Sequence, residues 1–237
     1  MFTSLSKLVG KDCGILVVGK IWGETMEKKL DFKKEYKDLY MPKAKPMLID
    51  VPAMNFIMVD GTGDPNNNPS FEEAVELLYG LSYSIKMSKT KGLQPPGYFE
   101  YVVPPLEGLW WVDEGVFSFE QRDNWKWTVM IRQPDFVTDS VFLQATKELH
   151  KKKPHVPVDR ARFDSFTEGL CVQMMHKGPY ATEPDTMKVM EAFMKQEGVK
   201  DKVGLGGMHH EIYLSDPRKS KPENNKTVLR HPVAITV

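Results

Sequence analysis

His209-His210-Glu211-Ile212-Tyr213-Leu214-Ser215-Asp216-Pro217-Arg218 is entered from a glycine loop, Gly204-Leu205-Gly206-Gly207, and left through an Asp-Pro turn. Read as a strand, the stretch has period two. His209, Glu211 and Tyr213 then share one face, and His210, Ile212 and Leu214 the other. An acid between a histidine and an aromatic residue is unusual on a plain core strand. The strand alone leaves two readings open: Glu211 faces water on a half-exposed sheet, or it faces a site.

Working outward, the chain has 237 residues, enough for one large domain or two small packed modules. Its 32 Lys and Arg balance 32 Asp and Glu, so no global charge recruits nucleic acid or an anionic membrane. The lysine runs Lys86 to Lys91 and Lys151-Lys152-Lys153 fit solvated helix ends. Cys13 and Cys171 are far apart and form no disulfide framework, which points to a cytoplasmic location. The 14 Met, 5 Trp and 11% aromatic content supply either core filler or the lining of an adaptable pocket. No stretch is long and apolar enough to span a bilayer. Residues 1–25 hold only a short apolar run, Gly14 to Gly19, and Met26-Glu27-Lys28-Lys29 reads as a natural start. We expect 1–25 to be a dispensable or non-native extension.

Element signals follow in order. Asp31 to Tyr40 is amphipathic and ends at Met41-Pro42. Met47 to Gly61 reads as a strand. Ser70 and Glu73 have capping-box spacing before a helix to about Met87, with Ala74, Leu77, Leu78, Leu81 and Ile85 on its apolar stripe and Tyr83 beside it. Tyr98 to Val103 reads as a strand that Pro104-Pro105 interrupts and Leu106 to Val112 resumes. Trp125 to Arg132 alternates as a further strand. A connecting helix spans about 138–153. Then the order repeats: strand at Gly169 to Tyr180 (Met174 and His176 on one face, Cys171 and Gln173 on the other), helix from about Pro184 to a Gly198 stop, the Glu211 strand, and a strand from Val228.

The expected fold is therefore α+β: two strand-helix-strand-strand modules related by a pseudo-twofold, at about 47–134 and 167–237. Their antiparallel sheet carries helices and leaves a ligand cleft between the modules. Glu107, Leu109 and Trp111 take places in the first module comparable to Glu211 and Tyr213 in the second. Two acids and several aromatics would then approach one groove.

At these residues the chain resembles the GyrI-like family of small-molecule binding domains, built as a duplication of such modules (SHS2 modules). The resemblance covers about Met26 to the C-terminus. It rests on Leu39-Tyr40-Met41-Pro42-Lys43, Leu48 to Pro52, Leu78 to Met87, Leu106-Glu107-Gly108-Leu109-Trp110-Trp111, Lys177-Gly178-Pro179-Tyr180 and His210 to Arg218. It is nearest to stand-alone bacterial members, and no helix-turn-helix is read upstream. The resemblance implies that Glu211 is the buried acid of a ligand cleft. With Tyr83 it forms the catalytic pair to be expected if the protein is an enzyme. Tyr83, Trp110 and Trp111 would be walls and Tyr180 and Tyr213 a polar rim. Glu107, His209 and Met174 complete the expected ligand-binding set. Successive strand residues point oppositely, so the sequence does not say whether Trp110 or Trp111 faces the cleft.

No metal and no cofactor are expected. Adjacent His209 and His210 point to opposite faces, so at most one joins Glu211, and no Cys or His pair has helical ligand spacing. The glycine loop precedes a strand rather than a helix, so it is not a nucleotide fingerprint. Cys171 reads as a packed thiol, and Asp216-Pro217-Arg218 as a turn with a local ion pair.

Three functions compete, with a monomer or homodimer expected for each. The first is a binder of flat, hydrophobic, cationic small molecules. The second is a detoxifying hydrolase that opens the strained cyclopropane of DNA-alkylating compounds in the same cleft. The third, a protein inhibitor of the DNA gyrase type, gains nothing from the neutral charge.

Overall fold

Asp31 accepts a hydrogen bond from the Lys33 amide and starts α1 (Phe32–Glu35), followed at once by α2 (Lys37–Tyr40). In the computed structural model, which describes residues 29–115, 117–216 and 220–236, the amphipathic 31–40 piece is thus two single helical turns. The expected 1–25 extension, and Pro217 and Arg218 of the expected ion pair, lie outside the described residues.

Proline then divides the first apolar run. β1 (Met47–Val51) stops at Pro52, which has no amide to give a ladder, and β2 (Met54–Thr62) begins two residues later. The next helix, α3 (Pro69–Lys86), is capped by Asn68, whose side chain accepts from the Ser70 amide, and not by the expected Ser70. Pro69 explains the difference: it suits the first helical position, so the cap moves upstream of it. β3 (Leu106–Trp111) and β4 (Lys126–Arg132) form as expected. Tyr98–Val103 is not a strand: Tyr101 makes one isolated bridge to Leu30, and Pro104-Pro105 prevents a longer ladder. The chain continues through α4 (Asp139–Lys152), β5 (Ala161–Phe166), β6 (Gly169–Lys177) and α5 (Glu183–Glu197). It ends with β7 (Val199–Asp201), β8 (His209–Tyr213) and β9 (Lys226–Ile235). β5 and β7 carry too weak a hydrophobic alternation to be read from the sequence.

The strands form one antiparallel sheet in the order β1-β6-β9-β8-β3-β4-β2-β5, with β7 added to β9. Reversing that order exchanges β3 with β8, β4 with β9, β2 with β6 and β1 with β5. The duplicated strand-helix-strand-strand order is therefore real, and each module also lends its leading strand to the other. Only two residues join β1 to β2 and β5 to β6, yet each pair stands at opposite ends of the sheet. Three Cα steps reach at most ~11 Å, so the sheet must curl until its ends approach.

The outer face carries the helices. α3 packs on β2, β4 and α4, burying Leu77, Leu78, Leu81 and Ile85 against Ile57, Val59, Trp127 and Val129. Each such side chain contributes roughly 2 kcal/mol by leaving water. α5 packs on β6, with Met190 and Met194 against Val172, Met174 and Leu229. The inner face closes on Phe56, Leu109, Met130, Cys171, Ile212 and Val228, with Phe32 and Tyr40 of the first turns packed among them.

Candidate functional site

The sheet register locates the site. One row of cross-strand partners runs Met174, Leu229, Glu211, Gly108, Val129, Val59, and all six face the helical side. The row is apolar at each end, where α5 and α3 lie. At its centre, on β8 and β3 between the two helices, stand a glutamate and a glycine. A cross-strand pair shares one face, so His209 and Trp110 also look this way, as do Tyr213 and Leu106.

Gly108 shapes the floor. A Cβ there would lie 2.9 Å from the Trp110 indole nitrogen, so the missing side chain is what lets the indole lie back over the strand beside Glu211. Trp110 is then fixed by a stacked Phe71 at 5.8 Å and a tilted Trp125 at 5.3 Å. The β3–β4 connection brings Phe117 and Phe119 over His209, with ring centroids at 5.6 and 5.4 Å. That connection is tied down by the Trp125 indole N–H donating to the Ser118 carbonyl and by Arg122 donating to the Phe119 carbonyl.

From the other side, the first turn of α5 delivers Glu183 and the turn before it delivers Tyr180. Glu183 is 2% exposed, and its Oε1 has no hydrogen-bond partner. Burial, and then the Glu211 charge, push its carboxyl up to about 10, against a smaller opposing pull from Arg122. Glu183 therefore holds its proton at neutral pH. Tyr180 meets Tyr213 edge-on at 6.0 Å and is pushed up to about 12 by burial and the charges of Glu211, Glu183 and Asp216. Tyr213 is raised as well, by burial, by the Glu211 charge and by donating its hydroxyl proton to Glu211.

Behind Glu211 a chain of hydrogen bonds leads out of the cleft. His209 Nε2 lies 3.2 Å from Glu211 Oε1, and His209 Nδ1 lies 2.7 Å from His231 Nε2. His231 Nδ1 in turn lies 2.7 Å from Asp201 Oδ2. The carboxylate and imidazole donors of Glu183, His209 and Glu211 lie within 4.8 Å of one another, a spacing that a divalent cation could bridge. Both His209 nitrogens are engaged, however, so the ring has no lone pair to give without breaking this chain. The trio is better described as one acid, Glu211, hydrogen-bonded to a histidine, with a second acid, Glu183, close beside them.

Glu107 and Trp111 are corrections to the expected site. Glu107 pairs with Ile212, and Trp111 belongs with it on the inner face, away from Glu211. The position facing Glu211 across the junction is Gly108, one residue on, so the acid is not duplicated between modules. Glu107 instead belongs to a closed inner network. It accepts from His210 Nε2 at 3.1 Å and from the Tyr40 hydroxyl at 3.2 Å, while His210 Nδ1 donates to Glu168 at 2.9 Å. Arg230 donates to Glu168 at 3.3 Å, to Gln173 at 3.0 Å and to the Leu39 carbonyl at 2.8 Å. The two carboxylates face an imidazolium and a guanidinium, and the buried Arg132 guanidinium bonds to Tyr40 beside them, so each inner acid has a cationic neighbour. The outer acids have no such balance.

Met174 also stands apart: it is core beneath α5, two strands from Glu211. Tyr83 lies on α3, half exposed, with its ring beside Tyr79 and the Lys86 ammonium over it. Glu211, His209, Tyr213, Tyr180 and Trp110 are brought together. The sequence reading missed Glu183, Phe117, Phe119, His231 and Asp201. Glu183 alone left a trace, as an acid at a helix start three residues beyond Tyr180.

The fold and this cleft define a small-molecule binding domain made of two modules. The GyrI-like small molecule binding domain matches residues 44–234. Two solved structures from Listeria innocua cover 87% of this chain and 100% of their own. One, an uncharacterized conserved protein, is 51% identical with a TM-score of 0.83. The other, described as a hydrolase, is 50% identical with a TM-score of 0.80. The C-terminal domain of EcmrR shares the fold alone, at 13% identity and a TM-score of 0.50 over 81% of this chain and 98% of that one. No curated protein matches. The chain belongs to the GyrI-like family, whose domains bind small molecules. Among the described residues, no helix is long and apolar enough to cross a membrane.

Proposed function

We propose that the Glu211 cleft is the active site of a hydrolase for flat, apolar small molecules carrying a strained ring. The observation that carries this is the pair of buried acids, Glu183 and Glu211, which reach within 4.8 Å of each other and of His209. Glu183 keeps its proton at neutral pH, which leaves Glu211 to act as the base. A binder needs only one countercharge; a base beside an acid is what a hydrolysis needs. The similarity to a Listeria hydrolase at 50% identity supports the same reading.

The chemistry follows from placement. Trp110, Phe117 and Phe119 offer flat apolar surface to a planar substrate, and Tyr180 and Tyr213 offer polar edges. Glu211 takes a proton from water, and the water oxygen bonds to a cyclopropane carbon as the strained carbon–carbon bond breaks. The released electron pair moves into the conjugated carbonyl of the substrate, whose oxygen takes the Glu183 proton. Atoms and charge balance, and the product is the substrate plus one water.

A second reading, sequestration of flat cationic ligands, draws on the same aromatic walls and on cation–π attraction. Incubation with a cyclopropane-bearing DNA-alkylating compound, followed by mass spectrometry, separates the two. A product one water heavier supports hydrolysis, and recovery of unchanged bound compound supports sequestration. A compound neither bound nor changed rules out this substrate class.

A further inference from the structure

We propose that Asp201 and His231 act through His209 as positioning residues that set the proton held by Glu211, and that the four form a relay from the cleft to solvent. This rests on the reading of Glu211 as the acid of the cleft.

Three hydrogen bonds join Glu211, His209, His231 and Asp201, and each needs one hydrogen. Asp201 fixes the direction. Its Oδ1 accepts from the Val203 amide at 2.8 Å, so Oδ2 is left to accept from His231 Nδ1–H. With His231 neutral, its Nε2 is a bare acceptor, and His209 then donates from Nδ1. A neutral His209 has no hydrogen left for Nε2, which faces Glu211 Oε1. Two neutral imidazoles supply two hydrogens and the chain needs three. The third lies in the Glu211–His209 bond, and Glu211 is free to act as a base only when that proton is on the His209 side, so the chain holds one proton more than its neutral rings can provide.

The far end of the chain is open. The Asp201 side chain is 33% exposed, whereas Glu211 is 8% and His209 0% exposed. A proton that Glu211 gains can be handed to Glu183 across the cleft, or to His209 behind it. By the second route it passes ring to ring and leaves at Asp201 even with a ligand over Tyr180 and Trp110. The charged and titratable groups around Glu211 are His209 and Tyr213 on its own strand, Glu183 and Tyr180 at the start of α5, and Arg122 beyond Glu183. His231 comes from β9 and Asp201 from β7, and His210 acts on His209 from the opposite face. Of these, His209 has a second hydrogen bond that leads onward, through His231, to the partly exposed acid Asp201.

The test is Asp201→Asn, read by histidine nitrogen NMR on the ligand-free protein. Asn keeps an oxygen for Val203 and turns an amide donor toward His231. His231 must then accept at Nδ1 and donate from Nε2, and His209 must accept at Nδ1 and donate from Nε2 to Glu211. Both rings reverse, and the extra proton is no longer required. We expect native His231 to be protonated at Nδ1 with His209 Nδ1 also protonated, and both rings to switch to the Nε2–H form in Asp201→Asn. Asp201→Glu should restore the native pattern. The pH midpoint of turnover or ligand binding should move by about one unit in the Asn variant. An unchanged His209 tautomer in Asp201→Asn, with only His231 affected, overturns the relay. If that variant folds poorly, Glu211→Gln read at His231 tests the chain from the other end: the carboxamide keeps the ring tautomers but removes the titratable proton, so a His231 titration unaltered from native overturns the relay. The NMR readout needs no substrate. A relay confirmed there beside undiminished turnover in Glu211→Gln would defeat the proposed function and leave the relay intact.

Discussion

Gly108 stands directly opposite Glu211 where the two modules meet, and its missing side chain is filled by the Trp110 indole. The acid of one module thus faces an aromatic wall supplied by the other, across a single pair of strands.

Gly108→Ala tests this packing. The new Cβ meets the indole at 2.9 Å, and Trp110 is held by Phe71 and Trp125, so it has little room to retreat. We expect a loss of about 1–3 kcal/mol, altered tryptophan fluorescence and weaker ligand binding. Trp111→Ala, on the other face, should leave binding unchanged. Equal effects of the two variants on binding would refute the assignment of Trp110 as the wall.

Glu211→Gln should preserve the fold, because a carboxamide can donate to His209 Nε2 in place of the shared proton. Turnover or affinity for cationic aromatic ligands should fall at least ~100-fold, the scale of a lost general base. A severe drop in melting temperature with unchanged function per folded molecule would make Glu211 structural.

Glu183→Gln should stabilise the protein. Glu183 is raised in the folded state from 4.5 to about 10, so its favourable contribution is full below 4.5 and is lost as pH rises toward 10. At pH 7, between these two values, the native chain has already lost part of it. Denaturant melts of the variant should show a higher midpoint at neutral pH and a flatter pH dependence. Its turnover should fall, since the proton donor is gone.

The inner network predicts the opposite behaviour. Burial alone would raise Glu168, but His210 and Arg230 outweigh it and hold the carboxyl down at about 2. Its contribution is present above 4.5 and is lost as pH falls toward 2. Burial would lower His210, but Glu168 and Glu107 raise it to about 8, so its contribution is full below 6.5 and fades as pH rises through 8. Stability from this network should therefore be greatest between about 4.5 and 6.5. Glu168→Gln should lose about 3–5 kcal/mol by leaving Arg230 and His210 short of a carboxylate. A variant as stable as the native protein would show the network to be dispensable.

Local pattern was enough for the class of fold, the order of its helices and the shared face of His209, Glu211 and Tyr213. Those features depend on periodicity and on turn residues such as Gly198 and Pro42, which act over a few positions. The same pattern placed Glu107 with Glu211 because both follow a helix in their modules, and there it failed. Which residues face each other across β3 and β8 is a matter of register, and a shift of one residue exchanges Glu107 for Gly108. Register is set by the packing of whole strands, so it appears only in the folded sheet. The folded chain alone brings Glu183 from a helix start, Phe117 from a loop, and His231 and Asp201 from separate strands to one acid. Hydrogen bonding and burial between residues distant in the chain leave no period in the sequence, and they are what made His209 and His210, neighbours on one strand, members of two different networks.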